Sequence, residues 1–526
     1  MRVGSDAEVK NLTGAQTKVQ DGEGRLVLPG FHDCHVHLAE GGAELLQCRL
    51  NSATSQIEVL DLLKTWAATE HPGDDKHHWI LAAGLPLPAV ATAPLTWQIL
   101  DSVSTSRPLL VYAEDGHSAW LNSKAMQMAV VTSKSSAPCG GIVELDAQGK
   151  PTGCLREGAL ALVQKVLPVL SLKERSNALA NAIALANSFG ITSAQDAHAN
   201  EEVLTAYYDL ARRKKLNLKV VAALHTGVMS AEAYVRLEKQ AKKYSRYPRL
   251  QARSAKIFAD GVVESHTAAL LAPYVDRPQK SGDLNYSPEE LKVIVKELDR
   301  RGFQIHIHAI GDRAVCTALD AFQAKNTTND LRHQIAHIQL VHPDDYPRFK
   351  ILNITANCQA AWAFQDKYIK DLTAPLLGAE RMARVYPFNS IKQGGARLAA
   401  GSDWTVSTLN PLDAMQVAVT RQSYELANSA AKNLEQLKQE PPLNSDQKIQ
   451  LQDIVGAYTT GGAYVNHSEK ETGSLEAGKS ADLVMLDTNI FELPPDKIAS
   501  AKVIWTMIDG DVVYESHANR QKFDQK

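Results

Sequence analysis

From Leu160 onward the apolar residues switch repeatedly between two periods. Segments with helical spacing of apolar positions give way to short apolar runs of β type. The first long helix is expected over 173–189 and ends at Gly190. Strands are expected at 191–196, 217–225, 254–260, 303–310, 334–339, 354–359 and 397–403. A strand over 31–37 brings the number to eight, most of them separated by a helical segment. Eight strand–helix units in one domain predict an α/β fold, a parallel (β/α)8 barrel of the TIM type.

The rest of the chain departs from this rhythm. Residues 1–30 read as a helical fragment followed by short strands at Thr17–Val19 and Arg25–Leu28. Residues 471–526 turn to β-type runs, Ala481–Leu486 and Val503–Tyr514, bounded by Gly and Asp. The two ends are expected to meet in a second, smaller β module. Between about 39 and 160 the pattern is irregular, with a Pro-rich loop at Leu85–Pro88, a strand at Leu109–Tyr112 and a hairpin-like stretch from Gly140 to Leu155. That reads as a large insertion or lid within a barrel domain running from 31 to 470.

Composition narrows the class. The chain has 526 residues, 44% hydrophobic and 22% charged, with a formal charge of −3, which suits a globular protein with a sizeable core. Nothing in that balance indicates nucleic acid or an anionic membrane. The basic clusters at Arg212–Lys215 and along Lys239–Arg249 read as solvated helix faces or ends. Six scattered cysteines form no Cys-x-x-Cys pair, so neither a disulfide framework nor a zinc knuckle is expected. No apolar run reaches the length of a membrane span, and Met1–Glu8 lacks a signal core. The cytoplasm is the expected compartment.

Candidate chemistry gathers at the strand ends, where barrels of this kind keep their functional groups. His35 and His37 alternate with Val36 and so share one face of an extended segment. The strand over 254–260 carries Lys256, the next carries His306 and His308, the next His333 and His337, and the last ends at Asp403. Each alone has an ordinary reading: a core imidazole, a surface amine, a helix N-cap. Together they describe a divalent-metal site. Lys256 facing inward needs a charge partner or a modification, which a carbamate bridging two ions would supply. His306 lies one layer deeper and reads as packing or as a supporting contact behind the ligands, and His333 sits at the far end of its strand. Cys34 points away from the histidines and reads as a small buried residue.

The ordered motifs resemble the amidohydrolase superfamily, in the amidohydrolase-3 branch with N-substituted formamide deformylase-like proteins. They are Leu28–His37, Asp115–Trp120, Lys256–Gly261, His308–Ala314, His337–Asp345, Gly401–Trp404 and the tail segment Gly473–Val484. The resemblance implies the barrel, a composite β-sandwich built from both chain ends, and one or two divalent metals, zinc being the first expectation. It implies His35, His37, Lys256, His308 and His337 as metal-holding residues, with Lys256 as a possible carbamate. Asp403 would be both ligand and general base, in hydrolysis of a C–N bond of an amide or formamide. His117, Trp120 and Asp260 are candidates for substrate or supporting contacts. The expected partner is a small-molecule substrate, with no nucleic acid and no membrane; homo-oligomerisation stays open. The same site would also serve deamination, isomerisation or ester hydrolysis, and a truncated homologue acting as a scaffold is a further alternative. Three departures stand out. Ala336 replaces a commonly acidic residue, and Thr405 replaces a usual proline. The chain also opens where relatives have two or three sandwich strands behind them, so an internal start or a lost leader is an expectation.

Overall fold

The computed structural model describes residues 2–17, 19, 21–69, 78–136, 141–227, 229–326, 328–428 and 434–516. The chain divides into two compact units, Met1–Leu38 with Ala180–Lys526, and Ala39–Leu179.

The first unit holds the barrel. Its strands are Phe31–Val36, Ile191–Ala199, Lys219–His225, Leu250–Phe258, Gln304–Ala309, Gln334–His337, Thr355–Cys358 and Leu398–Ala400, hydrogen-bonded in that order. Every pairing is parallel. Strands covered on both faces read as continuous apolar runs rather than alternating ones, which is why they stood out in the sequence. The helices between them bury one stripe. Pro288–Arg300, for example, starts at a Ser287/Glu290 capping box and turns Leu291, Ile294, Val295 and Leu298 inward.

The last strand returns to the first. The Asp403 amide donates to the His35 carbonyl at 2.7 Å, and the His37 amide to the Trp404 carbonyl at 3.0 Å. A Cβ at Gly401 would lie 2.5 Å from the His35 backbone nitrogen, so only glycine permits this approach. Inside the barrel the side-chain amides of Gln195, Gln304, Gln334, Asn357 and Gln359 form one hydrogen-bonded chain. Each amide both donates and accepts, so this polar layer is buried without an unpaired group.

In the same unit, Val27–Pro29 joins Leu483–Leu486, Val503–Ile508 and Asp511–Glu515 in a four-stranded antiparallel sheet. Lys219, at the start of its barrel strand, is tied to Asp482 at 2.6 Å and Asp509 at 2.8 Å. The short strand expected at Thr17–Val19 is not formed: Thr17 and Val19 are irregular, and Lys18 lies outside the described residues.

The second unit corrects the expectation of irregular structure over 39–160. It contains a six-stranded sheet in the order Cys48–Arg49, Ile80–Leu85, Leu109–Ala113, Ser118–Leu121, Pro151–Arg156, Ile142–Leu145. One face packs on a core with Leu50, Val59, Leu63, Ile80, Val111 and Trp120. The other packs on Leu110, Ala119, Leu121, Leu155, Leu160 and Val163. The strands are short and broken by Pro- and Gly-containing turns, so no single window carries a clear period.

Candidate metal centre at the barrel mouth

The strand ends of the first unit bring His35, His337 and Asp403 together. One ligand atom from each lies within 4.8 Å of the others, and all three residues are buried. Asp403 Oδ1 is 3.1 Å from His37 Nε2 and 3.4 Å from His35 Nε2. His37 is the most open of the group, with 17% of its side chain exposed. The Lys256 amine is 3.1 Å from His35 Nε2 and 4.9 Å above the Phe258 ring. The rings of His308 and His337 are 4.4 Å apart. The six residues expected at the mouth therefore form one contiguous cluster.

The backbone is held in place with them. His337 (φ 74°) and Asp403 (φ 52°) both adopt the left-handed conformation, which non-glycine residues seldom keep unless their neighbours impose it. Three of the buried imidazoles are held towards the neutral form. Burial, reinforced by Lys256 and the neighbouring histidines, pushes His35, His306 and His337 well below the usual histidine range. Burial also lifts Asp33 to about 7, although its carboxylate accepts from the Ser402 and His35 amides.

These residues fit a divalent cation. Neither ring nitrogen of His337 has a hydrogen-bond partner, and Asp403 Oδ1 accepts no hydrogen bond, although these atoms are buried. Neutral imidazole nitrogens and a carboxylate oxygen converging on one point are the donor set such an ion takes.

Other residues singled out from the sequence have varied positions. His306 Nε2 meets His35 Nδ1 at 2.9 Å, beneath the ligand layer. His333 is remote from the mouth, its Nε2 3.0 Å from Asp299 Oδ1. Cys34 is buried against Ala399 and Val465. Asp260 accepts from the amides of Ala269, Ile310 and Gly311, pinning the loop after the fourth barrel strand to the loop after the fifth. It also lies 3.7 Å from His308 Nε2. His117 and Trp120 belong to the second unit. There His117 Nδ1 is 2.9 Å from Glu157 Oε2, and Trp120 lies in the apolar core, 5% exposed.

Four residues at the mouth of the barrel escaped the sequence reading. His198 and His225 end neighbouring strands, with Nε2 of one 2.6 Å from Nδ1 of the other. Gln359 accepts the His337 amide at 2.8 Å, and Trp362 stacks on the His337 ring. A histidine at a barrel strand end was the available signal for the first pair. Nothing local marks the second.

A profile of the Amidohydrolase family matches residues 18–514, and the chain belongs to that family. It is 30% identical to Protein LONG AFTER FAR-RED 3 of Arabidopsis thaliana, over 98% of this chain and 86% of that protein. It is 23% identical to the N-substituted formamide deformylase of Arthrobacter pascens, over 98% of this chain and 93% of that protein. Among solved structures, an uncharacterized metal-dependent hydrolase from Pyrococcus horikoshii matches with a TM-score of 0.71 at 27% identity, covering 93% of this chain and 91% of that one. Family and fold together support a metal-dependent hydrolase. Among the described residues, no helix is long and apolar enough to cross a membrane.

Proposed function

We propose that this chain hydrolyses a carbon–nitrogen bond of a small-molecule amide or formamide, using a divalent metal held at the barrel mouth. The observation that carries the proposal is the convergence of His35, His337 and Asp403, with both His337 ring nitrogens unsatisfied. The 23% identity to an N-substituted formamide deformylase supports the choice of bond. Zinc is the expected ion, because nitrogen donors dominate the set.

His35, His37, His308, His337 and Asp403 would hold the metal. Lys256, 1% exposed with its amine beside His35, is placed to become a carbamate and add oxygen donors if two ions bind. When bound, a divalent cation lowers the pKa of a water from about 15.7 towards about 7 and polarises the substrate carbonyl. Asp403 accepts the proton released at Oδ1, the atom that accepts no hydrogen bond in the resting fold, and returns it to the leaving nitrogen. His306, by meeting His35 Nδ1, leaves His35 Nε2 as the ligand atom. The His308 Nε2 faces the Gly261 carbonyl at 3.1 Å.

The test is turnover of purified, zinc-loaded protein on parallel amide, formamide and ester panels, with D403N beside wild type. Amide or formamide cleavage that D403N lowers by about 10^2–10^4-fold supports the proposal. Cleavage of esters alone, or turnover indifferent to D403N, contradicts it.

A further inference from the structure

Three of the imidazoles at the mouth are oriented in two different ways. His35 and His308 are held through a ring nitrogen: His35 Nδ1 meets His306 Nε2 at 2.9 Å, and His308 Nε2 faces the Gly261 carbonyl at 3.1 Å. A metal-binding histidine usually has its second nitrogen fixed in this manner, which sets both the ring angle and the ligand atom. His337 has no such bond at either nitrogen. Asp403 Oδ2 is 3.7 Å from Nδ1, beyond hydrogen-bond reach.

What lies against the ring instead is Trp362. Its indole is almost parallel to the imidazole, at an interplanar angle of 11° and a centroid distance of 5.3 Å. The other ring neighbours of His337, His35 and His308, meet it edge-on at 63° and 62°. The short segment that carries Trp362 also carries Gln359. Its side-chain oxygen accepts the His337 amide at 2.8 Å and so braces a residue whose backbone is left-handed. Gln359 is in turn held by Asn357, to whose side-chain oxygen it donates at 2.9 Å.

We infer that the segment Gln359–Trp362 is a clamp on His337, with Gln359 fixing the backbone and the Trp362 face fixing the ring in place of a hydrogen bond. Trp362 is thus a positioning residue for the metal. This rests on the metal-site reading given above. A flat aromatic face restrains tilt while leaving both nitrogens available, which a hydrogen bond to either would not do.

The experiment is a zinc titration of the full-length metal-free protein against a chromophoric chelator, comparing wild type with W362F, W362L and W362M. Metal-free melting curves identify the variants that fold. Phe retains a ring face, whereas Leu and Met fill the space without one. The clamp predicts near-wild-type affinity for W362F and a loss of about 10-fold or more for W362L and W362M, the range of lost outer-shell support. Equal affinity in all four proteins overturns the clamp while leaving the metal site standing. Equal loss in all three variants overturns it too, by showing that the ring face is not what matters. Absence of zinc binding in wild type overturns both the clamp and the hydrolase reading.

Discussion

His333 and His337 bracket the same barrel strand and are buried alike, yet the fold treats them oppositely. His333 Nδ1 accepts the Ile305 amide at 2.9 Å, its Nε2 pairs with Asp299 at 3.0 Å, and its ring stacks on Phe322. His337 also stacks on an aromatic ring, but neither of its nitrogens has a partner. A buried imidazole with both nitrogens satisfied stabilises the fold. One with both nitrogens unsatisfied costs free energy that a metal would offset. Residue type and burial do not separate the two roles; hydrogen-bond accounting does.

The largest effect should come from the acid–base group at the unsatisfied end. D403N is expected to lower turnover by about 10^2–10^4-fold while leaving the metal-free melting temperature near wild type, measured by steady-state kinetics and thermal melting. At the satisfied end the pattern reverses. H333F keeps the stack on Phe322 but leaves the Ile305 amide and one Asp299 oxygen without their partner. It should cost about 1–3 kcal/mol in denaturant unfolding and leave zinc affinity unchanged. A loss of zinc affinity in H333F would break the comparison.

Acidification should act on the same histidines with a smaller, continuous effect. His35, His306 and His337 are held well below the usual histidine value in the fold, mainly by burial, and return to about 6.5 when unfolded. The unfolded chain therefore binds more protons below about 6.5, so metal-free stability should fall as the pH drops from about 7 towards about 5. Asp33, lifted from 3.8 to about 7, works in the opposite direction over that range, as do Asp366 and Asp413, each lifted to about 6, while His32, lowered to about 3, adds to the histidines. Melting temperatures that rise on acidification would contradict the neutral-histidine account.

The barrel was legible because its strands are covered on both faces and appear as compact apolar runs between amphipathic helices. The cluster was legible because His35, His37, Lys256, His308, His337 and Asp403 all fall at or near strand ends. His198 was missed because its strand was expected to stop at Asp196 and instead continues to Ala199. His225 stood at a strand end, but a single histidine there has no spacing partner in the sequence. Trp362 and Gln359 reach His337 only because the segment after the seventh strand folds against the sixth, a long-range contact that no local pattern encodes. In the second unit, Trp120 read equally well as a site residue or as core; its packing with Leu50 and Leu63 shows the core.

The most direct test of the central claim is zinc content per chain for wild type, H333F and H337A, purified identically and dialysed against trace metal. The account predicts about one or two equivalents in wild type and in H333F, and a clear loss in H337A. Wild type without zinc, or H337A loaded like wild type, would contradict it.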